Sequence, residues 1–417
     1  MLRQALQKFG VIGMLILLAA SLTAPQSMAA ALAPQAGPTT WTILVGGQAG
    51  VQQTAMGPMG AWQFMRFYPD SITVNVGDTI VWKLASAEPH TVTFPKPGDK
   101  SPDLVMPETG SQRMLGNPLA LFPQGGPSFD GTALTGSGQL GADPQFPTEY
   151  KLTFTKEGTF QYFCTFHPMM TGKVIVQAAG SPYPKTQAQI DADAKAQLAA
   201  DTQAAMQVEA QQPKQAATKA GPDGGTIHEV AIGYGDGVLA WMRFAPTDLT
   251  IHVGDSVEFT QKAVDVPHTV TLASGGKEPD LFLVEPQQAG PPKLVINPVV
   301  LAPAGGPTYS GKDYFNSGWM WGTKDPFPGP RSYVLKFDTP GTYEFYCVLH
   351  DPMGMVGHIT VLPAGAQAPA PAPAQLPTTG GDGQGVGGAL ATMAAGLGLL
   401  VGGLFVSVAK PGRSTRK

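Results

Sequence analysis

The sequence predicts an all-β chain built as two tandem copies of one sandwich or small barrel. Three observations lead there. An internal repeat runs through most of the chain. Apolar and polar residues alternate with period two on either side of glycine turns. The 52 glycines and 40 prolines, with only 13% charged residues, disfavour helical bundles.

The repeat is read from paired segments. Met65-Arg66-Phe67 recurs as Met242-Arg243-Phe244, and Val76-Gly77-Asp78 as Val253-Gly254-Asp255. Pro89-His90-Thr91-Val92-Thr93 recurs as Pro267-His268-Thr269-Val270-Thr271, and Asn117-Pro118 as Asn297-Pro298. Cys164 and His167 recur as Cys347 and His350. The offset drifts by a few residues because loops differ, while the order holds. The copies are placed at 40–178 and 225–363.

Within copy one, Tyr150, Leu152 and Phe154 alternate with polar residues, turn at Gly158, and resume as Phe160, Tyr162 and Cys164. Tyr333, Leu335 and Phe337, then Gly341, Tyr343, Phe345 and Cys347 repeat this in copy two. Each is the pattern of a half-buried antiparallel hairpin. The Gly/Pro-rich stretches 95–147 and 274–330 are read as long loops or sets of short strands.

The flanking segments carry different signals. Residues 1–30 have Arg3 and Lys8, an apolar run from Val11 to Ala20 and small residues around Ala29, the anatomy of a secretory signal peptide. An uncleaved anchor is the alternative. Residues 179–224 are rich in Ala and Gln and are read as a spacer, either an exposed helix or a loose linker. Residues 364–385 form a Pro/Gly-rich stalk containing Leu376-Pro377-Thr378-Thr379-Gly380. An apolar run at 386–409 is long enough to cross a bilayer, and a basic tail at 410–417 follows. Pentapeptide, apolar run and basic tail in this order resemble the sorting signal of sortase substrates. Without a sortase the run is a plain transmembrane anchor. Either route predicts an exported protein held at the membrane or cell wall. A formal charge of −4 leaves no basic footprint, so no nucleic-acid partner is expected.

The chemistry centres on the only two cysteines, which occupy equivalent positions, each followed three residues later by a histidine. Copy one reads Cys164, His167, Met169, Met170; copy two reads Cys347, His350, Met353, Met355. Each copy supplies one further histidine in the same Pro-His-Thr-Val context, His90 and His268. One thiolate, two imidazoles and a weak axial thioether make a blue-copper electron-transfer site. Structural zinc favours several cysteines and no methionine. A disulfide between Cys164 and Cys347 would require the two domain cores to open to each other. His228, His252 and His358 lack counterparts in copy one and are read as ordinary strand or surface residues. Met59, with Met56, is assigned to packing, and the hydroxyls of Thr91 and Thr269 are candidates to brace the cysteine loops.

These motifs resemble the type 1 copper cupredoxins of the plastocyanin and amicyanin kind. The short Cys164–Met170 loop is similar to that of amicyanin, and the longer Cys347–Met355 loop to that of plastocyanin. The resemblance implies an eight-stranded Greek-key sandwich per copy, with one type 1 copper ion in each. Aligning on the glycine that follows picks Met170 over Met169 and Met355 over Met353. The implied metal ligands are therefore His90, Cys164, His167 and Met170, and His268, Cys347, His350 and Met355.

The function expected is one-electron transfer between redox partner proteins, a donor and an acceptor, by a carrier rather than an enzyme. The alternatives are a copper oxidoreductase resembling nitrite reductase or a multicopper oxidase, and a copper storage or delivery protein. Enzymes of the first kind need extra copper bound by additional histidines, and no His-x-His pair occurs.

Overall fold

The computed structural model describes residues 37–54, 57–322 and 329–366. The signal-peptide region, Met56, the stalk beyond Ala366, the Leu-Pro-Thr-Thr-Gly motif, the apolar run and the basic tail lie outside the described residues. Among the described residues, no helix is long and apolar enough to cross a membrane.

Each copy is a β-sandwich of two sheets. In copy one, Thr40–Thr54 pairs antiparallel with Gly57–Tyr68 and parallel with Thr79–Leu84. That sheet continues through Glu149–Phe154 to Ser128–Phe129. The facing sheet runs Ser71–Asn75, Thr171–Gln177, Gly158–Phe163, Thr93–Phe94, Thr135–Gly136. Copy two repeats this plan, with Leu239–Ala245, Thr226–Gly235, Ser256–Gln261, Ser332–Phe337 and Thr308–Tyr309 in one sheet. Its second sheet holds Asp248–His252, Val356–Leu362, Gly341–Tyr346, Thr271–Leu272 and Phe315–Ser317.

The period-two pattern explains the cores. Leu152 and Phe154 point inward with Trp82, Phe94 and Tyr162, whose rings meet edge-on or tilted at 5.1–5.8 Å. Phe259, Phe244, Phe337 and Phe345 fill the same place in copy two. In Glu149–Phe154 and Ser332–Phe337 the intervening residues face outward and read polar, whereas the seam strands Gly57–Tyr68 and Leu239–Ala245 are buried on both faces.

The copies do not sit on a free tether. Gly57–Tyr68 pairs antiparallel with Leu239–Ala245, matching Leu239 with Phe64, Ala240 with Gln63 and Trp241 with Trp62. With Met65 equivalent to Met242, this register is symmetric about the Gln63–Ala240 pair. The two large sheets thereby become one of 11 strands, and Trp62 stacks on Trp241 at 5.8 Å. A second junction uses the Gly/Pro-rich insertions. Hairpin Val105–Pro107/Met114–Gly116 pairs with hairpin Phe282–Glu285/Lys293–Ile296 through Leu115 and Val295. Arg113 contacts both Glu108 and Glu285 there, at 2.5 and 2.6 Å, and Lys293 contacts Glu108 at 2.7 Å. After each hairpin the recurring Asn-Pro pair starts a short helix, with Asn117 and Asn297 as N-caps and the proline in the first turn.

The expected spacer is also engaged. Gln187–Ala210 is an α-helix opened by a Thr186/Gln189 capping box. It lies on the seam: Ile190, Ala194 and Ala205 are buried, Tyr68 donates to Asp201 at 2.6 Å, and Trp62 donates to Glu209 at 2.7 Å. Contact is made largely through alanine, so the helix shows no wide apolar stripe. Ala217–Ala220 then adds a strand to Thr226–Gly235.

Asp78 anchors the start of copy one. Its buried carboxylate accepts from the Thr39 and Asn75 backbone N–H groups, the Trp41 indole and the Tyr183 hydroxyl, at 2.7–3.0 Å. Asp255 repeats this with fewer partners, Thr226, His252 and His228. Leaving several buried donors unpaired costs about 1–3 kcal/mol each, short of full additivity. Asp78→Ala should therefore lower the urea midpoint clearly, by roughly 3 kcal/mol of stability, and Asp255→Ala by less. Equal, negligible shifts in both variants would refute this account.

Candidate metal centres

In copy one the first histidine sits where the chain enters the Thr93–Phe94 strand, and a two-way bridge to Leu140 fixes its backbone, at 3.0 and 2.8 Å. Cys164 and His167 follow the end of the Gly158–Phe163 strand, where the Cys164 N–H donates to the Met170 carbonyl at 3.0 Å and closes the loop. Copy two is built alike, with His268 bridged to Met320 and the Cys347 N–H donating to Met355 at 3.1 Å.

Three donor atoms converge in each copy. Cys164 Sγ lies 3.6 Å from Nδ1 of both His90 and His167, and the two Nδ1 atoms are 3.2 Å apart. In copy two the sulfur lies 3.8 Å from His268 Nδ1 and 3.4 Å from His350 Nδ1, with the two Nδ1 atoms 3.0 Å apart. A trigonal ion with bonds of about 2.0–2.3 Å separates neighbouring donors by roughly 3.5 Å, so each triad fits one ion. Two imidazole nitrogens and a sulfur aimed at one point suit a soft-to-borderline transition metal, and the set matches the type 1 copper pattern. There are two such clusters among the described residues, one per domain.

The surroundings set the protonation of each donor differently. Both cysteines are free and buried. Burial holds the His90 and His268 pKa values well below the usual imidazole range, so both rings stay neutral and keep a lone pair for metal. Burial pushes the Cys164 thiol up to about 11, against the pull of the Thr91 N–H, which points at Sγ from 3.4 Å. A bound cation reverses that burden, because the thiolate is then paired. Burial lowers His167 to about 4, against the Glu88 carboxylate. For His350, burial also opposes charge, but the Cys347 sulfur and Glu88 together raise it to about 10.

Two further features brace the sites. The Thr91 hydroxyl accepts from the Thr165 N–H at 2.8 Å, and the Thr269 hydroxyl accepts from the Val348 N–H at 2.9 Å, tying each cysteine loop to the segment that carries the first histidine. Gly46 and Gly233, both in the left-handed region, sit behind His90 and His268 at strand bulges. A Cβ at either would lie 2.5 Å from the histidine Nε2. The sequence reading missed these glycines. Eighteen residues lie between Gly46 and Met65 but eight between Gly233 and Met242, so the repeat offset jumps there.

Met170 is 1% exposed and Met169 44%; Met355 and Met353 are both buried. His228 and His252 lie beside Asp255, and His358 pairs with Asp248 at the surface. Met59 packs in the core.

Removing one loop brace should leave a buried N–H unpaired. Thr91→Ala and Thr269→Ala are each expected to cost about 1–3 kcal/mol in chemical unfolding, with Thr→Ser recovering most of it. Equal stability of the alanine and serine variants would show that the hydroxyls brace nothing.

Comparison with known proteins agrees with this chemistry. Residues 56–177 and 229–362 match the family described as copper binding proteins, plastocyanin/azurin family. Amicyanin of Paracoccus denitrificans is 30% identical over 27% of this chain and 60% of its own length. Plastocyanin of Vicia faba is 30% identical over 32% of this chain and 98% of its own. The chain spans about 60% of the length of the amicyanins it matches. A solved structure of an oxidised amicyanin mutant is 27% identical, covering 27% of this chain and 74% of that one, with a TM-score of 0.17. With the family matching both copies over more than half its length, the chain belongs to the plastocyanin/azurin family of copper-binding proteins.

Proposed function

We propose that the protein is an exported, surface-anchored electron carrier holding one type 1 copper ion in each domain. The observation that carries this is the pair of closed, buried His-Cys-His triads on a cupredoxin-type scaffold. When bound, copper supplies a one-electron Cu(II)/Cu(I) couple. The chain's own residues bring the donors together, and burial keeps His90, His167 and His268 unprotonated. A single closed site per domain is typical of electron carriers rather than of catalytic coppers.

The fourth ligands proposed are Met170 and Met355. The burial of Met170 and its place at the loop closure favour it over Met169. In copy two the same closure by Met355 favours it over Met353, whose carbonyl accepts from Arg243 in a short 3-10 turn. Donor and acceptor proteins are the proposed partners.

Purified protein should bind two copper ions and be intensely blue when oxidised. Cys164→Ser and Cys347→Ser should each remove one blue centre and leave the other, read by metal analysis and visible absorption. Full colour in the double variant would refute the assignment, because the colour requires a copper–thiolate bond.

Export and anchoring rest on the terminal segments: the leader at 1–30, domains at 40–178 and 225–363, and the stalk, sorting motif and apolar run that follow. Truncation after Gln375 should release blue protein into the medium. Mass spectrometry of the mature C-terminus separates cleavage after Thr379 by a sortase from a retained transmembrane anchor. Intact full-length protein free in the cytoplasm would contradict both routes.

A further inference from the structure

In each copy the loop histidine turns Nδ1 toward the sulfur, which leaves Nε2 directed away from the triad. Both Nε2 atoms face the same side chain. Glu88 places Oε2 3.8 Å from His167 Nε2 and Oε1 3.2 Å from His350 Nε2. All three residues are 4% exposed. Glu88 belongs to copy one and His350 to copy two, so this contact crosses the domain boundary.

The carboxylate is placed there by the seam. Gln63, at the centre of the strand pair joining the copies, accepts with Oε1 from the N–H groups of Ala87 and Glu88, at 3.0 and 3.2 Å. The repeat assigns Val266 to the corresponding position of copy two, next to the buried Asp265 that lines the same cavity, and Glu88 is the acid that contacts both loop histidines. Apolar side chains including Phe166, Leu349 and Trp319 line the cavity around it. A carboxylate this deep costs several kcal/mol unless it is paired, and the histidines are the groups that face it. Each metal triad already has its donors without Glu88.

We propose that His167–Glu88–His350 is an internal electron bridge, so that the two copper centres exchange electrons within one chain rather than serving as independent carriers. This rests on the reading of both triads as type 1 copper sites. In the step, one electron leaves the reduced centre of one copy, which becomes oxidised, and enters the oxidised centre of the other, which becomes reduced. No bond is made or broken, and no proton or further reactant is consumed. The path crosses two through-space gaps of 3.8 and 3.2 Å between buried side chains, and electronic coupling falls steeply with gap length.

The test uses the full chain loaded with copper and reduced by a sub-stoichiometric radical pulse. Cys164→Ser and Cys347→Ser proteins supply the spectrum of each centre alone. Redistribution of the electron between centres at a rate independent of protein concentration is expected in the parent and in neither single-centre variant. Glu88→Leu should slow that phase by about 10–100-fold while keeping two coppers and both blue bands, with Glu88→Gln slowed less. If Glu88→Leu does not fold, Glu88→Gln carries the comparison, and any slowing at intact copper content supports the bridge. Exchange that scales with protein concentration in the parent would overturn the proposal, as would a parental rate in the Glu88 variants. A third bound copper lost on Glu88→Leu would also overturn it, by making the triad a metal site. Absence of copper or of blue colour in the parent would instead defeat the underlying reading of the centres.

Discussion

The antiparallel register of Gly57–Tyr68 against Leu239–Ala245 is the constraint on which the remaining architecture depends. A duplicated domain normally leaves its copies free to reorient, since an interdomain surface is small compared with a core. Here backbone hydrogen bonds make the two large sheets continuous. A register slip of one residue would turn every side chain of the seam to the opposite face. Symmetry about Gln63 and Ala240 then brings equivalent parts of both sandwiches toward one axis. The insertion hairpins obey the same axis, because Leu115 and Val295, which pair across it, are repeat equivalents.

Because the copies are fixed in this way, their loop histidines share one buried environment. Local charge is asymmetric there: Val266 stands at the repeat position of Glu88, with the buried Asp265 beside it, and Glu88 approaches His350 more closely than His167. The loops differ as well, with two residues between His167 and Met170 and four between His350 and Met355. A duplication that began with identical halves has therefore become a pair of unequal centres. In a buried setting such differences are screened less than at the surface.

Within each copy the division of labour is simple. A backbone bridge just ahead of a strand holds the first histidine, and a hydrogen-bonded loop holds cysteine and the second histidine. A threonine hydroxyl joins the two, and a left-handed glycine lets a strand pass close behind the first ring. None of these supports is a metal ligand, yet they set how far the donors can relax.

The sequence by itself determined the duplication, the alternating strands and the donor set His90, Cys164, His167, His268, Cys347 and His350. These are legible because each is written locally: period-two burial follows from the pleat, and a ligand type is fixed by its own side chain. The tertiary structure decided what depends on distant segments meeting. It folded the 187–210 helix onto the seam, through alanines that carry no periodic signal and through Asp201 and Glu209, where a spacer was expected. It paired the Gly/Pro-rich insertions into one small sheet, an outcome that needs both copies present. It also set Glu88 between His167 and His350, a contact invisible in either repeat alone because the carboxylate comes from one copy and half its partners from the other.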